Sequence, residues 1–368
     1  MKMLPTVAII GAGYGGAALA KELENDADVT LIDPRDSFVN VAGSLRALAR
    51  PDWADNLFFP LDQILTRATL IRDKAVSVDP AGLTLSSGDR ITADYVVLAT
   101  GSTYPYPANP TSNATASALE DLRRTHKALD GAQRVLILGA GPVGLELAGE
   151  TREIWPDKDI TIIDPADELL PGFLPDVRRE LHRQLDALGI KMMLGARLTA
   201  PPRTRPNELA IVTVHTTTSV EITVDIWFQA YGATISSDYL SDEKLTTRTA
   251  RGEVPVTQRL NILGHDHVYA IGDITNLAEA KMAGYAGQHA AVVAENIKTQ
   301  IAGGVPRATY EPLGYPMILL PLGTRAGVGQ LPSPDGPTLA PTEMVSQYKG
   351  ADLFTGRFAE QFGIEKHS

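Results

Sequence analysis

Two glycine-rich loops are the segments of this chain best suited to binding phosphates. The first reads G-A-G-Y-G-G and the second G-A-G-P-V-G. In such a loop the first glycine permits a tight turn, the second lets backbone approach a pyrophosphate, and the third lets the next helix pack on the strand. The helix N-terminus then offers free N–H groups to the phosphates. We predict two dinucleotide sites, with contacts from Gly11, Gly13, Gly15, Gly16, Gly139, Gly141 and Gly144.

An acid follows each loop where a ribose would lie. Asp33 and Asp164 each end the next predicted strand, roughly 20 to 25 residues after the loop, where a carboxylate accepts hydrogen bonds from ribose hydroxyls. The residues after Asp164 read P-A-D-E and hold no arginine to pair with a 2′-phosphate, which favours NADH over NADPH. Glu146 opens the second helix near the predicted nicotinamide end, although the helix dipole alone also favours an acid there.

The elements that must position these loops alternate between strand and helix. In each half of the chain a short apolar strand, a glycine loop, a helix-forming stretch and a second strand follow one another. We predict an α/β fold with two Rossmann-type dinucleotide-binding domains, the second inserted in the first. The predicted limits are 1–107 with 252–303 for the first domain, 108–251 for the second, and 304–368 for a C-terminal layer.

Composition excludes several classes of protein. Hydrophobic residues make up 44% and charged residues 21% of the 368 residues, as in globular proteins. The net charge of -11 gives no general attraction to nucleic acid, so we expect no nucleic-acid partner. The sequence contains no cysteine, which excludes disulfides, thiolate metal sites and a dithiol relay, and we predict no metal. No apolar run approaches the ~20 residues of a membrane span, so we expect a cytoplasmic protein.

Two further segments give the pattern a family resemblance. They are A-T-G-S, ending at Ser102, and Y-A-I-G-D, ending at Asp273. With the two loops they resemble the two-dinucleotide-domain flavoprotein reductases, the superfamily of glutathione reductase. The resemblance implies FAD in the first domain, NADH in the second, and a small C-terminal α+β domain. It also implies that Thr100 and Gly101 lie at the domain crossover, and that Gly272 and Asp273 bind the ribityl chain of the flavin.

Other segments narrow the resemblance. K-M-A-G-Y-A-G-Q-H-A-A from Lys281, G-T-R-A-G-V-G-Q-L from Gly323 and D-L-F at Asp352 resemble the apoptosis-inducing-factor-like and ferroptosis-suppressor-like oxidoreductases. The absence of cysteine excludes the disulfide reductases and the sulfide:quinone reductases of the superfamily. The resemblance implies a quinone-like small-molecule acceptor and allows a homodimer. It also implies cofactor contacts from Arg46, Val76, Gly232, Lys281 and Met282.

Two lysines are predicted to be catalytic. Lys281 precedes a helix predicted to run to Asn296, whose positive end would face the charge on a reduced flavin. By resemblance, Lys349 lies near the flavin and the quinone, where it could polarise a carbonyl or donate a proton. Each lysine has the alternative of an ordinary surface position. His289, on the same helix as Lys281, is given no role.

An aromatic stripe ends the chain. Phe354, Phe358 and Phe362 recur every four residues and would share one face of a helix. Core packing is one interpretation, and a quinone entrance or a contact with a membrane surface is the other. Because few basic residues lie nearby, we expect at most transient membrane contact, and thus a cytoplasmic protein that is at most peripheral to the membrane.

The leading functional hypothesis is electron transfer from NADH through FAD to a quinone. A second hypothesis is reduction of an electron-carrier protein, which the acidic net charge disfavours because such carriers are themselves acidic. A third is an NADH-responsive redox sensor with slow turnover.

Overall fold

The computed structural model describes residues 4–366, which alternate between strands and helices. The strands are β1 (Thr6–Ile10), β2 (Asp28–Ile32), β3 (Ser37–Val39), β4 (Phe58–Pro60), β5 (Thr69–Ile71), β6 (Ala75–Asp79), β7 (Gly82–Leu85), β8 (Arg90–Thr92), β9 (Tyr95–Leu98), β10 (Ser102–Thr103), β11 (Arg134–Leu138), β12 (Asp159–Ile163), β13 (Lys191–Met193), β14 (Val212–His215), β15 (Glu221–Val224), β16 (Ile226–Gln229), β17 (Thr234–Ile235), β18 (Val268–Ala270), β19 (Ile318–Leu322), β20 (Ala326–Ser333) and β21 (Gly336–Ala340). The α-helices are α1 (Tyr14–Leu23), α2 (Ser44–Ala49), α3 (Leu61–Ile64), α4 (Thr115–Gly131), α5 (Pro142–Ile154), α6 (Pro175–Ala187), α7 (Ala283–Ile301), α8 (Thr342–Val345) and α9 (Thr355–Phe362).

The first Rossmann sheet is assembled from both ends of the sequence. Its five strands lie in the order β18-β9-β1-β2-β5, and every neighbouring pair is parallel. Strand β18 comes long after the second glycine loop, yet it pairs with β9, Val268 opposite Val96. The second Rossmann unit is therefore inserted in the first, as the sequence predicts. Helices α1 and α7 pack against each other beside this sheet.

The second sheet repeats the same parallel arrangement with four strands. Its order is β13-β12-β11-β16, so β11, the strand that leads into the second glycine loop, lies between β12 and β16. Strand β11 is a nearly continuous apolar run and is buried from Val135 to Leu138, as expected for a parallel strand covered on both faces. The α/β fold with two Rossmann-type domains is thus confirmed. The residue limits of the domains stay predictions.

An antiparallel layer of β19, β20 and β21 follows the first two domains and rests on α5. Gly149 makes this close approach feasible, because a Cβ at that position would lie 2.5 Å from Cα of Leu322 on β19. Any larger residue would force α5 and β19 apart. The C-terminal layer is therefore seated directly on the helix that follows the second glycine loop.

The aromatic stripe of the last helix faces the first domain. The ring centroids of Phe358 and Phe362 lie 5.3 and 5.1 Å from that of Phe38, and Phe362 is 2% exposed. Phe354 precedes α9 in the left-handed conformation. Phe362 is therefore packed in the core, with the partly buried Phe358 against it, as the core-packing interpretation predicts, and a quinone entrance or membrane contact beside them stays a prediction. Across residues 4–366, no helix has both the length and the apolar character that crossing a bilayer requires.

Candidate active site

The first glycine loop has the geometry of a pyrophosphate cradle. Gly11 adopts φ +102°, and a Cβ at Gly16 would lie 1.8 Å from the carbonyl oxygen of Gly11, so α1 packs against the loop only because glycine is there. Gly13 begins α1 without a side-chain cap, and a Cβ there would meet no protein atom within 4 Å. The helix N–H groups therefore face open space that fits a phosphate. Gly15 instead lets α1 approach Ile271.

Asp33 is fixed at the edge of this loop. One carboxylate oxygen accepts a hydrogen bond from the N–H of Ala12 at 2.7 Å, and the other accepts one from the N–H of Arg35 at 2.9 Å. A carboxylate offers about four lone-pair positions, so these two bonds orient the group and leave acceptor capacity for a ribose diol. The position is the one that the sequence predicts for Asp33.

The second loop has the same glycine geometry and the same pair of aspartate hydrogen bonds as the first. Gly139 has φ +111°, and a Cβ at Gly144 would lie 2.0 Å from the oxygen of Gly139. Gly141 opens α5 with no side-chain cap and with free space around it. Asp164 accepts hydrogen bonds from the N–H of Ala140 at 2.6 Å and of Ala166 at 2.8 Å. Gly232, with φ +92°, follows the end of β16 beside this loop.

The crossover segment links the first loop to the chain returning from the second domain. A Cβ at Gly11 would lie 2.6 Å from the oxygen of Ala99, so the loop and the end of β9 are in direct contact. The hydroxyl of Thr100 donates to the oxygen of Ser236 at 2.6 Å, and Gly101 follows with φ +61°. The predicted crossover position of Thr100 and Gly101 agrees with these contacts.

Asp273 lies in the turn that follows β18, beside this crossover. The hydroxyl of Ser102 donates to its carboxylate at 2.5 Å, and burial raises the pKa of Asp273 above the usual range. Polar groups in such a buried place require partners, and the hydroxyls of a ribityl chain would supply them. Ser102 was not predicted to have a role, although its position directly after A-T-G could have indicated one.

Helix α7 begins at Ala283 with Met282 as its N-cap and ends at Ile301, beyond the predicted Asn296. Lys281 stands just before it and is 18% exposed. Its ammonium donates to the oxygen of Thr275 at 2.7 Å and lies 3.3 Å from a carboxylate oxygen of Glu253. The interpretation of Lys281 as an unpartnered surface lysine is therefore wrong.

The structure brings together two predicted site residues from distant parts of the chain. The ammonium of Lys349 lies 2.8 Å from a carboxylate oxygen of Glu146 and donates to the oxygen of Leu319 at 3.0 Å. The two side chains are 15% and 13% exposed. Lys349 is therefore not an ordinary surface lysine, because it joins the C-terminal layer to Glu146, which lies in the second turn of α5 rather than at its start as the sequence predicts. This ion pair is largely shielded from solvent. It places a proton donor, the Lys349 ammonium, beside its counter-charge, the Glu146 carboxylate.

Two of the residues for which the resemblance implies cofactor contacts are Arg46 and Val76; one binds protein groups and the other is exposed. Arg46, on α2, is 1% exposed and donates to one oxygen of Glu150 at 3.0 and 2.7 Å and to the oxygen of Ala351 at 3.0 Å. Its donors therefore bind protein groups. Val76 lies on β6 with its side chain 51% exposed. Cofactor contacts from Arg46 and Val76 stay predictions.

Three acids on α5 form an acidic ladder that no sequence motif predicted, namely Glu146, Glu150 and Glu153. These residues are four and three positions apart, so they share one face of the helix. Glu153 lies 2.8 Å from the guanidinium of Arg50 and accepts a hydrogen bond from the hydroxyl of Thr324 at 2.6 Å. Burial raises the pKa of Glu150. The ladder ties the helix of the second domain to the first domain and to the C-terminal layer.

Arg178 brings a positive charge to the acidic segment that follows Asp164. The guanidinium of Arg178, on α6, lies 2.9 Å from a carboxylate oxygen of Glu168. Because this charge is already paired with Glu168, the segment keeps its acidic character. Sequence spacing could not reveal Arg178, since it comes from the next helix.

Known proteins resemble the chain over most of its length. The family model described as pyridine nucleotide-disulphide oxidoreductase matches residues 5–294. Ferroptosis suppressor protein 1 of Taeniopygia guttata is 31% identical over 88% of this chain and 88% of that protein. Apoptosis-inducing factor homolog B of Dictyostelium discoideum is 27% identical over 98% of this chain and 97% of that protein. These matches confirm the predicted resemblance.

A solved structure agrees on the fold. The sulfide:quinone oxidoreductase from Aquifex aeolicus superposes with a TM-score of 0.75 at 21% identity, covering 97% of this chain and 91% of that one. The two glycine loops, their acids and the G-D segment fit an FAD and a nicotinamide dinucleotide. The chain is an FAD-dependent NAD(P)H oxidoreductase, and it belongs to the pyridine nucleotide-disulphide oxidoreductase family.

Proposed function

We propose that this chain takes hydride from NADH bound at the second glycine loop and reduces a quinone-type acceptor through FAD bound at the first. The observation that carries the proposal is the pairing of Lys349 with Glu146, which places a cation from the C-terminal layer beside the second turn of the nucleotide-binding helix. The similarity to relatives named ferroptosis suppressor protein 1 and apoptosis-inducing factor homolog supports the resemblance that implies a quinone-like acceptor.

The chain's first task in this proposal is to hold two dinucleotides. The open N-termini of α1 and α5 bind the pyrophosphates, and Asp33 and Asp164 accept hydrogen bonds from the ribose hydroxyls. Asp273 and Ser102 hold the ribityl chain. FAD, when bound, supplies the redox chemistry, since it accepts a hydride and releases electrons to an acceptor.

The second task is to place charge and protons. The positive end of α7 and the ammonium of Lys281, whose charge Glu253 partly offsets, would favour negative charge on a flavin ring bound beside them. A quinone gains two electrons and two protons on becoming a quinol. A hydride from reduced FAD would supply both electrons with one of the protons, so the second proton must come from an acid. Lys349 can give the proton at its ammonium nitrogen to a quinone oxygen, while the carboxylate of Glu146 keeps that ammonium in place.

Lys349→Met is expected to slow quinone reduction by roughly 10²- to 10⁴-fold, the usual loss when a positioned proton donor is removed. The rate at which NADH reduces the flavin should fall much less, because that step needs no proton from Lys349. Stopped-flow absorbance, with each half-reaction measured separately, checks the prediction. Lys127→Met, on the exposed face of α4, is the control. Equal losses in both half-reactions would mean that Lys349 only supports the structure.

Asp164→Ala is expected to lower the NADH/NADPH ratio of kcat/KM by about tenfold or more, because it removes a charge-assisted hydrogen bond to the ribose and the repulsion of a 2′-phosphate. Steady-state kinetics with both nucleotides measure the ratio. Asp157→Ala, in an exposed turn at the opposite end of β12, is the matched control and should leave the ratio unchanged. An unchanged ratio in Asp164→Ala would remove this acid from the account of selectivity.

An acceptor panel tests the acceptor itself. The purified FAD-loaded protein is supplied with NADH and with a soluble quinone, a ferredoxin-type carrier protein, or oxygen alone. We expect the quinone to give the fastest turnover. Faster reduction of the carrier protein would favour the protein-reductase hypothesis, and slow turnover with every acceptor would favour the redox-sensor hypothesis.

A further inference from the structure

His289 is a buried histidine that the proposed chemistry does not use. It lies on α7, is 1% exposed, and faces the turn that carries Gly272 and Asp273. Its ring Nδ1 accepts a hydrogen bond from the backbone N–H of Gly272 at 3.0 Å. Gly272 has φ +73°, a left-handed conformation, and it directly precedes the acid predicted to bind the ribityl chain. His289 thus contacts the backbone of the turn that carries Asp273.

The hydrogen bond to Gly272 fixes the state of the ring. A nitrogen that accepts a hydrogen bond carries no proton, so the proton of a neutral His289 resides on Nε2. Nε2 lies 3.0 Å from a carboxylate oxygen of Glu279, and the other oxygen of Glu279 accepts a hydrogen bond from the hydroxyl of Tyr310 at 2.5 Å. The Nε2–Glu279 contact is not aligned as a hydrogen bond, and Nε2 has no hydrogen-bond partner within residues 4–366. Glu279 therefore acts on the ring chiefly through its charge.

Tyr310 and Glu279 restrain the His289 ring on the side opposite Gly272. The ring of Tyr310 packs edge-on against that of His289, with centroids 4.3 Å apart, and Tyr310 is 7% exposed. Its backbone N–H donates to the oxygen of Gln258 at 2.8 Å. Asn296 binds both the N–H and the oxygen of Ala308, at 3.0 and 2.9 Å, and so ties the segment before Tyr310 to α7. Tyr310 and Glu279 thus pack against the His289 ring and limit its movement.

We propose that His289 is a positioning residue for the flavin. Its Nδ1 holds the N–H of Gly272, keeps that residue left-handed, and so aims Asp273 toward Ser102 and the ribityl chain. Glu279, anchored by Tyr310, keeps the proton on Nε2 and leaves Nδ1 free to accept. The inference depends on FAD binding alone and is independent of which acceptor the enzyme reduces.

Two substitutions separate the roles of the two ring nitrogens. In His289→Asn the side-chain oxygen lies close to the position of Nδ1 and can still accept from Gly272. In His289→Gln the longer side chain reaches the position of Nε2 and leaves the buried N–H of Gly272 without an acceptor. Since an unsatisfied buried donor costs roughly a 5- to 150-fold change in an equilibrium, we expect the FAD dissociation constant to rise by that factor in the Gln variant and to change little in the Asn variant.

The measurement is FAD titration of the apoproteins by flavin fluorescence, together with thermal unfolding of each apoprotein and the visible spectrum of each holoprotein. Equal FAD affinity in the two variants would overturn the proposal, whether both retain the wild-type value or both lose it. If one variant fails to fold, Tyr310→Phe provides the second test. It removes the hydroxyl that anchors Glu279, so the proton should be held less strictly on Nε2, Nδ1 should accept less well from Gly272, and FAD binding should weaken. Unchanged FAD affinity in this variant would overturn the proposal.

Discussion

Gly13→Ala is expected to give a folded protein that no longer retains FAD. Gly13 has φ -75° and ψ -167°, which alanine adopts without strain, and the added Cβ meets no protein atom within 4 Å. Stability of the apoprotein should therefore stay within about 0.5 kcal/mol. The methyl group would instead occupy the space through which a pyrophosphate approaches the backbone. We expect FAD affinity to fall by at least about 100-fold, equivalent to about 2.8 kcal/mol.

The second loop offers a matched variant. Gly141 has the same open surroundings, so Gly141→Ala should retain FAD and a normal stability but bind NADH poorly. Gly16→Ala is the contrasting case, because its Cβ would lie 1.8 Å from the oxygen of Gly11 and should disrupt folding itself. FAD content after purification, NADH titration and thermal unfolding separate the three outcomes. Purification of Gly13→Ala with a full complement of FAD would contradict the assignment of this loop.

Arg46→Met is expected to lower the free energy of unfolding by about 3–5 kcal/mol, the usual cost of leaving one member of a buried ion pair alone. Arg46 and Glu150 are 1% and 4% exposed, and three donors of Arg46 bind Glu150 and the oxygen of Ala351. The loss should appear in the apoprotein, before any flavin is added. Urea denaturation followed by circular dichroism measures it.

Two controls sharpen this prediction. The pair of Arg179 with Asp176 is largely exposed, so Arg179→Ala should cost between 0 and about 1 kcal/mol. The double variant Arg46→Met with Glu150→Leu replaces both charges and should recover most of the lost stability. If Arg46→Met left the apoprotein as stable as the wild type and weakened only FAD binding, Arg46 would be a flavin ligand, as the resemblance implies, rather than a link between domains.

The parts of the site that the sequence predicts are those set by local geometry. Gly11, Asp33, Gly139 and Asp164 lie within two strand–helix–strand units, in which short-range spacing determines both the turn and the position of the acid. The inserted order of the domains could be predicted because β18 reads as a strand that ends in the G-D segment. In each case the relevant partners lie close together in the sequence or are named by a motif.

The remaining features depend on tertiary contacts between distant residues. Lys349 meets Glu146, and Arg46 meets Glu150, only after the C-terminal layer and the two domains have assembled. The four-residue spacing of Phe358 and Phe362 predicted a shared face but could not say that Phe38 would cover it. His289 lies in the segment from Lys281 that carries the family resemblance, but that segment could not reveal that its partner is the backbone N–H of Gly272. No pattern within one segment carries such information.

The most direct test of the central claim is an anaerobic stopped-flow experiment with sequential mixing. FAD-loaded protein is first mixed with one equivalent of NADH, and the visible flavin absorbance is followed until it is lost. A soluble quinone is then added in the second mix. We predict rapid loss of absorbance followed by its rapid recovery, with recovery slowed in Lys349→Met. Recovery with quinone no faster than with air-saturated buffer would contradict the proposed NADH:quinone chemistry.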